Sequence, residues 1–135
     1  MHSTFYIQPI GPKDNAALAS IIRTTLEEFG ANHPGTVYYD ASTDALYELF
    51  QTEGAHYNVA WHEGKIVGGG GIYPTEGLPT GTCELVKMYL SKEARGKGFG
   101  AALIRLCMEQ AKQKGYHQIY LETMPELKQA LKRYE

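Results

Sequence analysis

The chain has 135 residues, of which 43% are hydrophobic and 21% charged, and a formal net charge of -2. These values suit one soluble domain spanning residues 1–135, with enough chain for a hydrophobic core that needs no metal or disulfide staple. They exclude a sequence-independent nucleic-acid binder, which requires a basic face, and no apolar run reaches the ~18–20 residues of a membrane span. The first eight residues lack the basic start and apolar core of a secretory leader. Cys83 and Cys107 are the only cysteines and show no metal-ligand spacing. They read as free thiols of a reducing, cytoplasmic compartment.

Taken in chain order, residues 5–10 are rich in β-formers and are closed by Gly11-Pro12, which predicts a first strand. Leu18, Ile21, Ile22, Leu26 and Phe29 recur at helical spacing, and Gly30 supplies a stop, so a helix is expected over 14–29. Residues 30–39 carry Asn32, Pro34 and Gly35 and read as a loop. Ser42 or Thr43 is suited to cap a second helix with Ala45, Leu46, Leu49 and Phe50 on one face. Tyr57, Val59 and Trp61 alternate with Asn58, Ala60 and His62, the period of a half-buried strand. Glu63-Gly64 then turns the chain into a returning strand over 65–73. Four consecutive glycines, Gly68 to Gly71, sit in that return and predict a bulge or a close backbone approach. A strand over 83–90, a helix over 98–114, a strand over 118–122 and a helix over 124–134 complete the chain, with Pro125 suited to the last helix's first turn. The order β-α-α-β-β-β-α-β-α describes a mixed α/β domain ending in a βαβ unit.

The chemistry-bearing segment lies between the 83–90 strand and the next helix. In Arg95-Gly96-Lys97-Gly98-Phe99-Gly100, alternate glycines let the backbone approach a ligand closely. The helix opening at Gly98 aims unpaired N–H groups and the positive end of its dipole at the loop, and Arg95 and Lys97 add charge. Together they predict an anion cradle suited to a pyrophosphate. In the helix behind it, Phe99, Ala102, Leu103 and Leu106 are expected to face the sheet, with Arg105, Glu109, Lys112 and Gln113 in solvent.

Three other readings of the loop compete. Gly96, Gly98 and Ala101 also satisfy the dinucleotide fingerprint, with Glu122 near its ribose-binding acid. Against it, five residues separate strand from loop, and Glu84 and Lys87 interrupt a strand that should be apolar on both faces. A Walker loop is excluded because no G-x-x-x-x-G-K-[ST] occurs. The third reading is a glycine-rich connector with no ligand.

The run from Leu90 to Gly100 closely resembles the acetyl-CoA signature (Q/R)-x-x-G-x-(G/A) of the GNAT superfamily of N-acetyltransferases, with Arg95, Gly98 and Gly100 at its defining positions. The element order also resembles that fold: a central mixed sheet flanked by helices. The resemblance implies that Met88, Tyr89 and Leu90 lie on a strand that splays from its neighbour and pairs with the pantetheine arm of acetyl-CoA. It further implies that the N–H groups of Gly96, Lys97, Gly98, Phe99, Gly100 and Ala101 hold the pyrophosphate. Glu84, six residues before Leu90, takes the place of the family's general base. Tyr134, four after Ala130, takes that of its general acid.

On this reading acetyl-CoA is the co-substrate, no metal is used, and the acetyl group passes directly to the amine of a small molecule or peptide. The N–H of Met88 would stabilise the oxyanion, and Cys83 forms no acyl-enzyme. A non-catalytic acyl-CoA-binding module is the alternative from another class, because it keeps the cradle without needing Glu84 or Tyr134. A nicotinamide-dependent oxidoreductase is the third function. Lys87 is expected to face solvent. The five histidines show no ligand spacing, and Trp61, Tyr38 and Tyr39 are expected to pack. The near-neutral charge favours neither nucleic acid, membrane nor polyamine partners. Family members usually continue past this tyrosine with Gly-Phe and two further strands, whereas the sequence ends at Glu135. The 118–122 strand is therefore expected to be an exposed edge, completed in a longer chain or by a partner subunit such as a second copy.

Overall fold

The computed structural model describes residues 5–31 and 39–121. The expected 124–134 helix, with Tyr134, lies outside the described residues, as do Glu122 and most of the 30–39 loop. Five strands form one sheet in sequence order: β1 (Phe5–Pro9), β2 (His56–His62), β3 (Lys65–Tyr73), β4 (Thr82–Leu90) and β5 (Gln118–Leu121). The first four run antiparallel, and β5 is parallel to β4. The crossover from β4 to β5 is helix α3 (Phe99–Gln113), while α1 (Asn15–Glu28) covers the opposite face. This is the expected mixed α/β architecture, and a largely antiparallel sheet is not the parallel sheet of a dinucleotide fold.

Helix α1 buries Leu18, Ile22 and Leu26, the stripe that its periodicity predicts. Its end is a Schellman motif. Gly30 at φ +69 lets the Ala31 N–H reach the Leu26 carbonyl at 2.7 Å and the Gly30 N–H reach the Glu27 carbonyl at 3.2 Å. The second helix departs from expectation. Asp40, not Ser42 or Thr43, starts it by accepting the Ser42 N–H at 2.9 Å, and a 3-10 turn (Ala41–Asp44) precedes a short α2 (Leu46–Leu49). Asn15 of α1 supplies the cap by accepting the Tyr47 N–H at 2.8 Å, so α2 is held by a neighbouring helix rather than by its own sequence.

Strand β2 is not half-buried. Tyr57 and Val59 pack under α1, while Asn58 and Ala60 are buried under α3. The alternation is correct, but a helix on each face covers both sides. Buried Asn58 is satisfied by a reciprocal amide pair with Gln110 of α3, at 2.8 and 3.0 Å. The buried stripe of α3 is Phe99, Leu103, Cys107 and Ala111, leaving Ala102 and Leu106 half-exposed. Tyr39 is exposed rather than packed, whereas Trp61 packs, stacked beside Tyr6.

The glycine run makes close approaches on both faces of β3. A Cβ at Gly69 would lie 2.5 Å from the Asn58 carbonyl oxygen and 2.7 Å from the Tyr57 ring. A Cβ at Gly70 would lie 2.5 Å from the Met88 methyl carbon. We expect Gly69→Ala to cost about 2–3 kcal/mol in urea unfolding, as overpacking against backbone does. Gly77→Ala, at a positive-φ turn with open space around it, should cost about 1 kcal/mol. Equal losses would show that the approach over Gly69 is not tight.

Candidate active site

Strand β4 carries the site. Opposite Gly69 and Gly71 of β3 stand Tyr89 and Val86, so two β4 residues, Lys87 and Met88, face the single Gly70. This is a β-bulge, and Lys87 occupies it at φ +53, a left-handed conformation uncommon for a side-chain-bearing residue. The Tyr57 hydroxyl, buried under α1, donates to the Lys87 carbonyl at 2.7 Å and holds the bulge in place. Burial pushes the Tyr57 phenol well above its usual range, keeping it a donor.

Beyond the bulge, β4 pairs with β3 alone. Its parallel pairing with β5 covers Thr82 to Leu85 among the described residues, so Val86 to Leu90 have no described partner on that edge. This is the edge on which an extended ligand could add as a strand. Met88, Tyr89 and Leu90 turn their side chains inward: Met88 under Gly70, Tyr89 into the core beneath α1, and Leu90 into that beneath α3. Burial pushes the Tyr89 phenol up to about 12. Tyr89 and Leu90 are buried and Met88 half-buried, so the edge presents mainly backbone groups, of which the Leu90 carbonyl already accepts the Arg95 Nε at 3.1 Å.

After Leu90 the chain makes a 3-10 turn (Lys92–Ala94) that buries Ala94, then exposes Gly96, Lys97 and Gly98 in succession. Gly96 and Gly98 take φ values of +75 and +84 with nothing within 4 Å of a would-be Cβ. Glycine is needed here for conformation and for an unobstructed approach, not for internal packing. Gly98 caps α3 in the left-handed conformation, and the first helical bond runs from the Ala102 N–H to the Gly98 carbonyl. The N–H groups of Phe99, Gly100 and Ala101 thus have no intrahelical acceptor and point out of the helix start. The Phe99 ring stacks on Phe5 at 3.8 Å between centroids, fixing the helix end against β1. The left-handed glycines and the free N–H groups of the helix start that the sequence suggested are therefore present as backbone geometry.

Arg95 does something the sequence did not disclose. Its guanidinium makes a two-point pair with Glu28 of α1, at 2.7 and 2.8 Å, and lies 5.3 Å from the centre of the Phe29 ring. Its charge is committed to a clamp between the glycine loop and the end of α1, while Lys97 of the same loop is exposed and makes no ion pair among the described residues.

Glu84 lies before the bulge on the α1 face of β4, opposite Tyr73, and its Oε1 accepts the Thr75 hydroxyl at 2.7 Å. At ~3.3 Å per residue the strand from Leu90 back to Glu84 spans roughly 20 Å. Near Glu84, a pocket of about 230 Å³ is lined by Asp40, Ser42, Leu49, Phe50, Tyr73, Val86 and Lys87. Lys87 does not face solvent as expected. It is half-buried, and its ammonium makes no hydrogen bond or ion pair among the described residues. Burial pushes it down, while Asp40 and Glu84 nearby push it back up. Ser42 donates to Asp40 and holds that carboxyl below its usual value. A second cavity, about 500 Å³, lies between α3 and β5, walled mainly by Leu85, Ile104, Met108 and Ile119, on the face of β4 opposite Glu84. No group of three or more potential metal ligands occurs among the described residues, nor any helix long and apolar enough to cross a membrane.

The sequence disclosed neither Thr75, Tyr57 and Asp40 as partners of the site nor the Arg95–Glu28 clamp, because each contact joins residues distant in the chain. The clamp is testable. Arg95 holds the Glu28 carboxyl below its ordinary value of 4.5. The stabilisation is complete above that value and is lost as pH falls through the depressed one. Arg95→Ala should cost about 1 kcal/mol at neutral pH, the size of a half-exposed two-point pair with one further bond. In thermal unfolding the gap to the unaltered chain should narrow below about pH 4. A gap independent of pH would remove the ion pair as its cause.

Residues 18–135 match the model of the acetyltransferase (GNAT) family. The chain is 41% identical over 124 residues to the uncharacterized N-acetyltransferase YjgM of Escherichia coli K12, covering 91% of this chain and 74% of that protein. Among solved structures, an acetyltransferase of the GNAT family from Staphylococcus aureus Mu50 superposes with a TM-score of 0.83 at 20% identity, over 97% of this chain and 80% of that one. A predicted acetyltransferase with acetyl-CoA from Clostridium acetobutylicum gives 0.74 at 20% identity, over 97% and 88%. On the family match and the 41% identical relative, the chain belongs to the acetyltransferase (GNAT) family of acyltransferase enzymes.

Proposed function

We propose that the chain moves the acetyl group of acetyl-CoA directly to an amine of a small molecule or protein. The supporting observation is the succession, along β4 and the loop and helix start that follow it, of a carboxylate, an edge with no described partner and a glycine loop with free backbone N–H groups, from Glu84 to Ala101. The pyrophosphate would rest on the N–H groups from Gly96 to Ala101 with Lys97 beside them, and the pantetheine arm would lie along Met88, Tyr89 and Leu90. Arg95 acts through the clamp rather than by touching the ligand.

An alkylammonium, with a pKa near ~10, must lose a proton before its nitrogen can attack. Glu84 accepts that proton, directly or through one water, while Thr75 orients its carboxylate. The nitrogen lone pair then forms a bond to the thioester carbonyl carbon. The oxyanion is stabilised by the Met88 N–H, and the C–S bond breaks as the carbonyl re-forms. The departing thiolate takes a proton from Tyr134, and the proton that the new amide nitrogen sheds restores the phenol through solvent; the Tyr134 assignment rests on the Ala130-x-x-x-Tyr134 spacing. Cys83 and Cys107 are buried free thiols whose pKa values burial raises, which disfavours an acyl-enzyme on either and suits a reducing, cytoplasmic setting.

Calorimetric titration with acetyl-CoA tests the cradle, and thiol release with a panel of amines tests the chemistry. Gly98→Val should abolish binding by removing the left-handed cap and filling the approach. Glu84→Gln should bind acetyl-CoA unchanged while kcat falls by about 10²-fold or more. Undiminished turnover in Glu84→Gln would reject the base assignment. Acetyl-CoA binding with no acetylation of any amine would favour a non-catalytic acyl-CoA module.

A further inference from the structure

The pocket beside Glu84 has a charge pattern that narrows the acceptor. Asp40 and Lys87 line it, and Glu84 flanks it on the same face of β4, two residues from Val86. Leu49, Phe50, Tyr73 and Val86 make the remaining wall largely apolar. At about 230 Å³ it is smaller than the ~300–1,000 Å³ cavities that enclose drug-sized ligands, and suits a small metabolite.

Lys87 is the unusual member. The bulge places it in a left-handed conformation, its carbonyl is pinned by Tyr57, and its side chain is half-buried with no ion pair among the described residues. Asp40 and Glu84 are near enough to influence its charge, yet neither comes within ion-pairing distance. A half-buried ammonium with no partner among the described residues, on a backbone held in the left-handed region, is costly to maintain, and such costs concentrate where a ligand supplies a partner. A purely anionic ligand would be repelled by Asp40 and Glu84, and a purely cationic one by Lys87. A molecule bearing both signs meets both demands, with its amino group toward the carboxylates and its acid group toward Lys87.

We propose that the acceptor is a small amino acid, an amine and a carboxylate on one apolar-bodied molecule, and that Lys87 determines this specificity by binding the carboxylate. The proposal rests on the acetyltransferase reading for its chemistry and deepens it by naming the acceptor class. A peptide N-terminus, whose carboxylate is replaced by an amide, is the competing acceptor that Lys87 disfavours.

The test compares each common L-amino acid with its carboxamide and with the corresponding decarboxylated amine. Two readouts are used: kcat/KM for acetylation, and calorimetric binding to protein saturated with CoA, which needs no turnover. In the unaltered protein, the best amino acid should exceed its amide and amine by about tenfold or more, chiefly through KM, as one charge-assisted contact provides. Lys87→Met should erase that preference, raising KM for the acid while leaving the amide within about twofold, and Lys87→Arg should retain most of it. Equal treatment of acid and amide by the unaltered protein, in turnover or in binding, overturns the proposal, as does a preference that survives in Lys87→Met. The unaltered-protein comparison requires no variant to fold. Failure to bind acetyl-CoA, measured in the same protein, counts against the acetyltransferase reading and is distinct from equal binding of acid and amide.

Discussion

The arrangement of the site depends on three missing side chains. Because Gly69 and Gly71 carry no Cβ, the Tyr57 ring lies across β3 from β2 and its hydroxyl reaches the Lys87 carbonyl on β4. Because Gly70 carries none, Met88 fills the opposite side of the same strand. The bulge between them reverses the parity of β4. Before it, Cys83 and Leu85 point toward α3 and Val86 toward α1; after it, Met88 and Leu90 again point toward α3, with Tyr89 toward α1. A regular strand would put Met88 on the face of Glu84 and Val86. The extra residue leaves that face to Lys87 and the pocket, and a strand so bent can part from its parallel neighbour. A buried hydrogen bond contributes only about 1 kcal/mol net, so Tyr57 acts less by its energy than by selecting one register among several.

A second constraint ties the two ends of the site to one another. The cradle loop would be a mobile connection if only its glycines defined it. It is fixed from two sides: Phe99 on Phe5 holds the helix start, and Arg95 on Glu28, Phe29 and the Leu90 carbonyl holds the loop against the end of α1. Helix α1 is in turn joined to α2 by Asn15 and to the Asp40 turn by the Arg23–Asp44 pair at 2.7 Å. The segment that shapes the pocket and the glycine loop are thus both fastened to one helix. Neither attachment need be strong, since what matters for positioning is that each has a single geometry.

Elements with strong local signals were legible in the sequence. The α1 stripe, the Glu63-Gly64 turn, the glycine run and the Arg95–Gly100 signature all follow from periodicity or backbone chemistry within a few residues. What failed has a common cause. Reading Ser42 or Thr43 as a cap ignored Asn15, which lies across the interface. Reading β2 as half-buried ignored the second helix layer. Assigning Lys87 to solvent treated its charge by itself, when it is sheltered at a bulge, and the Arg95 expectation did not include the Glu28 pair that the fold adds. The glycine run did signal a close approach, yet only the fold identifies Tyr57 and Met88 as the approaching groups.

The same distinction explains why the donor can be read from such a sequence and the acceptor cannot. Backbone N–H groups at a helix start recognise an anion whatever side chains surround them, so their requirement reduces to glycines at fixed spacing in a short segment. The pocket near Glu84 takes its character from Asp40, Phe50, Tyr73 and Lys87, contributed by four separate stretches of chain. Substituting the charged ones changes the sign of what fits without touching the glycine loop. Within one fold, then, the donor end is constrained by backbone geometry and the acceptor end by side-chain electrostatics. A lysine fixed at the bulge by its own carbonyl, beside two carboxylates it does not pair with, is where those two constraints meet.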